Sequence, residues 1–214
     1  MYMKITLIYD NTAFRKDLQA DWGFSALVEG ENISRILFDT GANGNILLSN
    51  MEKLGIDPSS VDEVFISHPH FDHTGGLADF LTINKTAKIY IPPSFQGLKG
   101  RNVITITQPT KIHENIFSTG QLEGIEQSMG IKTDKGIVIM VGCSHPHMSN
   151  ILDTARQFGN IYGIIGGLHG FSDFALFRDL EFICPVHCTQ HKSELKRLYP
   201  EKYIAGGAGK VIEI

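Results

Sequence analysis

Two β-sheets with helices packed outside them are predicted by three features of this chain: short β-rich runs alternate with helical ones, the early strands follow one another directly, and the later ones are separated by helices. The strand patterns are MKITLIY, GFSALVEG, SRILFD, DEVFIS, KIYIP, NVITIT and GIVIMVG, then IYGIIGG and EFICPVH. Helical patterns fit 44–54, 75–81, 151–158 and 191–198, with Ser149 or Asn150 expected to cap the third. At 214 residues, 42% of them hydrophobic, the chain can bury one substantial core and is expected to form a single domain over 1–214. It contains no low-complexity stretch, obvious repeat, or linker rich in Pro, Gly and Ser.

Composition narrows the function classes. The formal charge of -4, with both signs interspersed, gives no reason to expect a nucleic-acid or membrane partner. The basic clusters at 99–101 and 192–197 read as solvated faces. The opening MYMKITLIYD meets Asp10 too early for a secretory signal and reads as a first strand. No run approaches the ~20 apolar residues of a membrane span. Three cysteines, Cys143, Cys184 and Cys188, make an odd number that argues for a reducing compartment, so the expected location is cytoplasmic.

The chemistry concentrates in SHPHFDHTGG, where His68, His70, Asp72 and His73 follow directly on the buried-type strand ending at Ser67. A lone histidine is usually structural; four ligand-type residues within six positions at a strand end are not. Imidazole and carboxylate are preferred zinc ligands after thiolate. Adjacent side chains diverge, so His68 and His70 can point to one centre while Asp72 and His73 point to another, and the spacing implies two metals. Further ligands come from other strand ends: His145, less directly His147 and Cys143, after GIVIMVG; His169 after IYGIIGG; and His187, between Cys184 and Cys188, after EFICP.

These motifs resemble those of the metallo-β-lactamase-fold superfamily of metal-dependent hydrolases. The HxHxDH signature is His68, His70, Asp72 and His73, and LFDTG (37–41) resembles the superfamily's first motif with its buried aspartate. The likeness runs in order over essentially the whole chain, and it implies an αβ/βα sandwich: two mixed β-sheets flanked by helices, four layers in all, with the metals at one edge. GCSH, GGLH and HCT are similar to a narrower subgroup, the dihydropterin-ribofuranosylaminobenzene-phosphate synthase-like proteins, whose label serves more as a subfamily name than as a substrate. The stretch between His169 and His187 is short for that subgroup.

Carried over residue by residue, the resemblance implies that His68, His70 and His145 hold one metal and that Asp72, His73 and His187 hold the other. Asp39 stands behind them. A metal-bound imidazole needs its other N–H fixed by an acceptor, which a buried carboxylate provides, although Asp ahead of Thr40 and Gly41 also suits a plain turn. One departure matters: where many relatives carry a second aspartate that bridges the metals, the nearest equivalent place reads VGCSH. Cys143 takes part there, or His145 serves instead, or water bridges the metals; as a free cysteine, Cys143 also suits a small buried apolar role. Cys184 reads as core and Cys188 as near the site. His169 is open between ligation, proton donation, contact with a substrate phosphate, and a structural role in its Gly-rich turn.

Two divalent ions, zinc ahead of iron or manganese, lower the pKa of a shared water towards neutrality and stabilise a developing oxyanion, so the expected reaction is hydrolysis of a small-molecule phosphate ester, ester, lactone, thioester or amide. His169 is the first candidate to protonate the leaving group and Asp72 the second. The alternatives are a synthase-like activity on a phosphorylated substrate of the pterin type, redox chemistry of the flavodiiron kind, or a non-catalytic metal-binding protein. The redox relatives are expected to carry glutamate where His70 stands, and a non-catalytic relative would be expected to have lost ligands. Pocket walls are expected from 12–22 and 92–101, with Pro92, Pro93 and Phe95 either an apolar rim or the end of a strand.

Overall fold

The computed structural model describes residues 2–31, 33–100 and 102–214; the basic cluster at 99–101 therefore falls partly outside it, at Arg101. The first sheet contains β1 (Met3–Tyr9), β2 (Ser25–Gly30), β3 (Ile33–Phe38), β4 (Glu63–Phe65), β5 (Lys88–Ile91) and β6 (Val103–Thr105). The second contains β7 (Thr110–Lys111), β8 (Ile116–Ser118), β9 (Met129–Thr133), β10 (Gly136–Val141), β11 (Ile161–Gly167) and β12 (Phe182–Val186). A last strand, β13 (Val211–Glu213), returns to pair antiparallel with β1, so the orders are β13-β1-β2-β3-β4-β5-β6 and β12-β11-β10-β9-β8-β7.

Both sheets are mixed, and mixed in the same way. Hairpin-linked antiparallel strands run from β1 to β3 and from β7 to β10, and then β3, β4, β5 and β6, and likewise β10, β11 and β12, pair in parallel. The parallel crossovers carry α1 (Gly44–Lys53), α2 (Phe71–Thr74) and α3 (Leu77–Ile83) on the first sheet and α4 (Met148–Arg156) on the second, with α5 (Lys192–Leu198) after β12. The central strands are buried on both faces, as sheets covered by helices must be, while the edge strands β6, β7 and β13 are largely exposed. In β10, Val138 and Met140 face the opposite sheet with Ile5, Phe38 and Phe65, while Ile137, Ile139 and Val141 pack with Ile151, Leu152 and Ala155 of α4. On the first sheet, Leu37 and Val64 pack outward with Leu47, Met51 and Phe80 of α1 and α3. Each large aliphatic or aromatic side chain buried this way contributes about 1.5–3 kcal/mol. The result is the expected α/β architecture of four layers.

Several elements depart from the sequence pattern. The short strands β7, β8, β9 and β13 are additional; each is too brief or too polar to show an apolar period. The motif runs into its own helical turn, α2, and the next helix is displaced to Leu77–Ile83. Helix α4 starts at Met148, so His147 takes the cap position with no capping side chain, and Ser149 and Asn150 lie inside the helix rather than capping it. The Asn150 amide instead donates to Glu123 at 2.6 Å. No helix among the described residues is long and apolar enough to cross a membrane.

Candidate metal centre

Parallel pairing brings the C-terminal ends of β3, β4, β10, β11 and β12 to one edge of the sandwich, the usual place for a site in such sheets. Asp39 follows β3, His68 follows β4, Cys143 and His145 follow β10, His169 follows β11, and His187 follows β12. Four of these turns carry a non-glycine residue at positive φ: Asp39 (53°), Ser144 (58°), His169 (47°) and His187 (48°). Such backbone costs on the order of 1–3 kcal/mol per residue, and its clustering at one edge marks a site that the surrounding fold holds in place.

Six side chains form two triplets whose potential ligand atoms lie within 4.8 Å of one another: His68, His70 and His145, and Asp72, His73 and His187. These are the two sets that the sequence resemblance implied. His70 Nδ1 stands 3.1 Å from His68 Nε2 and 3.2 Å from His145 Nε2, so three ring nitrogens converge on one point. In the other set His187 Nε2 faces Asp72 Oδ2 at 3.2 Å without hydrogen-bond alignment and is buried with no partner. An orphaned buried nitrogen is costly unless something binds it, and this donor set of imidazoles and one carboxylate suits a divalent cation.

The far side of each buried ring is held. His73 Nδ1 meets Asp39 Oδ2 at 2.7 Å. Ser67 donates both its amide and its hydroxyl to the same carboxylate, at 2.7 and 2.6 Å, and its oxygen receives His68 Nδ1 at 2.9 Å. Asp39 thus fixes one histidine of each triplet, His73 directly and His68 through Ser67, which goes beyond a turn role. His187 is held by the loop after β1: Asn11 Oδ1 meets its Nδ1 at 2.9 Å, and Asp10 accepts its backbone N–H at 2.6 Å.

The electrostatics favour ligands over cations. Burial, reinforced by the His73 ring, holds His68 far below the ordinary imidazole range; burial does the same for His73, and lowers His145 to about 4. All three rings are therefore neutral at pH 7. Burial pushes the Asp72 carboxyl up, but His187, the His73 ring and the Trp22 indole outweigh it and hold Asp72 below the usual carboxylate range. Burial also holds the Asp39 carboxyl well above that range, against the Ser67 donors; a cation at the far nitrogen of His73 acts in the opposite sense.

Cys143 lies between the triplets. Its sulfur is 3.2 Å from His73 Nε2 and 3.2 Å from Cys188 Sγ, a contact either thiol can donate. The hydrogen bond to Cys188, with burial, holds the Cys143 thiol above its ordinary range. Cys184 belongs to the core between the sheets. His169 is exposed and in neither triplet, with its ring centroid 5.2 Å from that of His145. His147 is exposed, bonded to Glu123 at 2.9 Å and likewise outside both triplets.

A cleft of about 490 Å³ opens beside His145 and His169, walled by Pro146, Met148, Leu168 and Phe171. Its walls come from 144–149 and 168–176 and not from the described residues 92–100, where Phe95 packs against the outer face of the first sheet. From the 12–22 loop, Trp22 reaches the site, donating its indole N–H to Asp72 at 2.8 Å with its ring 5.1 Å from that of His187.

Glu126 is the main residue that sequence patterns missed. Fully buried, it accepts the backbone N–H groups of Gly142, Cys143 and Ser144 on one oxygen and that of His145 on the other, at 2.8 to 3.2 Å. Burial raises its carboxyl to about 7 against those four donors. Glu126→Gln turns an amide N–H towards at least one backbone N–H, so the variant should lose about 1–3 kcal/mol of stability, read from its denaturant midpoint. An unchanged midpoint would show that the carboxylate does not hold the Cys143–His145 turn. Asp10, Asn11 and Ser67 were missed likewise, because a single polar residue in a loop carries no pattern.

Comparison with known proteins agrees with this fold. The profile of the metallo-beta-lactamase superfamily matches residues 23–149, more than half of the chain. A 7,8-dihydropterin-6-methyl-4-(beta-D-ribofuranosyl)-aminobenzene-5'-phosphate synthase from Methanocaldococcus jannaschii is 28% identical, over 97% of this chain and 95% of its own length. That alignment spans 280 positions, more than the 214 residues here, so the relative carries insertions that this chain lacks. A solved metal-dependent hydrolase of the beta-lactamase superfamily superposes with a TM-score of 0.80 at 26% identity, covering 99% of both chains. A metallo-beta-lactamase fold protein from Bacillus subtilis shares the fold, with a TM-score of 0.72 at 16% identity over 100% of this chain and 99% of its own. The chain belongs to the metallo-beta-lactamase superfamily.

Proposed function

We propose that the protein is a dinuclear metal-dependent hydrolase of a small-molecule ester, phosphoester, lactone or thioester. The observation that carries the proposal is the pair of ligand triplets, with His187 Nε2 buried and unpartnered among them. His68, His70 and His145 hold one ion; Asp72, His73 and His187 hold the other; both are most simply zinc, with iron and manganese as the alternatives. A pair of divalent ions supplies Lewis acidity and a water acidic enough to attack at neutral pH. The remaining work falls to the chain: Asp39, Ser67 and Asn11 present the ring nitrogens, Glu126 fixes the turn that carries His145, and His169 meets the substrate in the cleft.

A phosphorylated small molecule is the substrate class favoured by the similarity to the synthase, whose own name carries a 5'-phosphate. A synthase-like activity on such a substrate is the second reading. A panel of phosphodiesters, lactones and thioesters assayed before and after chelation distinguishes these cases. Turnover of one class that disappears with chelator and returns with zinc is expected. Turnover that survives removal of the metals, or no turnover of any class by fully loaded protein, would contradict hydrolysis.

A further inference from the structure

We propose that Cys143 is a ligand as well, its thiolate shared between the two metals. This rests on the dinuclear reading above. The Cys143 sulfur falls within 4.8 Å of the ligand atoms of His68 and His73, and within the same distance of those of His187 and Cys188. It therefore lies in reach of residues from both triplets, and no carboxylate among the described residues forms a cluster with both sets. In the same group His187 Nε2 is buried without a hydrogen-bond partner, 3.2 Å from Asp72.

The fold makes room for this sulfur and fixes it. Glu126 accepts the Cys143 N–H at 3.1 Å. Gly142 is pressed against Ser67 and His68, with a hypothetical Cβ 2.9 Å from His68 Nδ1, so no other residue fits there without moving a ligand. At Gly167 a Cβ would lie 2.7 Å from Cys188 Sγ and 3.3 Å from the Cys143 Cα. Gly167 thus clears the space of the Cys188 sulfur beside Cys143, and Gly142 that of Ser67 and His68. Cys188, 3.2 Å away, is a positioning residue: its S–H donates to Cys143 once that sulfur is a thiolate. Metal uptake breaks the Cys143 S–H bond, forms sulfur–metal bonds and releases one proton to solvent; no electron is transferred. Thiolate at this place selects zinc or another thiophilic ion over magnesium or manganese.

The test is X-ray absorption on the zinc-loaded protein, with the cobalt-substituted protein as a second probe. A sulfur shell at about 2.3 Å is expected, averaging one sulfur per zinc if Cys143 is shared and half of one if it binds a single ion. The cobalt form should show a sulfur-to-metal charge-transfer band. Both signals should vanish in Cys143→Ala and persist in Cys188→Ala and Cys184→Ala. A fully loaded wild type without sulfur scattering overturns the assignment, as does half a sulfur per zinc, or signals lost in Cys188→Ala but kept in Cys143→Ala. The wild-type spectra decide the matter even if a variant does not fold. Failure to take up metal at all overturns the dinuclear reading itself, and the shared thiolate with it.

Discussion

The His169→Ala variant is expected to keep both metals and its thermal midpoint while losing about 10²- to 10⁴-fold in turnover, the usual worth of general acid–base catalysis. His169 lines the cleft but belongs to neither ligand triplet, and its side chain is exposed, so removing it exposes no buried donor and opens no core cavity. Its ring nevertheless sits 5.2 Å from that of His145, close enough to the proposed metal centre to serve a leaving group there. Metal content falling along with rate would make His169 a ligand. A lowered melting temperature with the rate kept would make it structural. Full activity with both metals bound would remove it from the site.

Asp39→Asn should lower metal affinity by roughly 10- to 100-fold, the usual effect of disturbing the group behind a ligand. Asp39 accepts from Ser67 twice and meets His73, so its two oxygens face only donors. Asparagine has one oxygen and one NH₂. Whichever way the amide turns, an N–H faces either the Ser67 amide or the His73 Nδ1–H. In the second case His73 shifts to the tautomer protonated at Nε2, the nitrogen needed by the metal. Because Ser67 also supports His68, both centres should weaken, which titration with a chromophoric chelator resolves. Wild-type affinity at both would show that the carboxylate does not set the tautomer.

How much of this was legible in the sequence follows from range. His68, His70, Asp72 and His73 stand out because their ligand spacing is local, and His145 and His187 because each follows a strand pattern whose end can be read. The long, largely buried strands β1, β10 and β11 are equally plain. The two-residue β7 and the three-residue β8 and β13 have too few positions to show a period. Glu126, Asp10 and Asn11 reach the site through partners far away in the chain; Asn11 bonds a ring 176 residues on. Such pairs exist only after the topology has closed. Of the two readings open for Pro92, Pro93 and Phe95, the strand end holds: β5 ends at Ile91, and Phe95 packs on the outer face of the first sheet.

The proposed dinuclear site is tested most directly by metal stoichiometry. Protein purified without chelator, or stripped and titrated with zinc, should bind two equivalents, and His187→Ala should bind one, because that substitution removes a ligand from only one triplet. Well under one equivalent in the wild type, with no uptake on titration, would contradict the proposal.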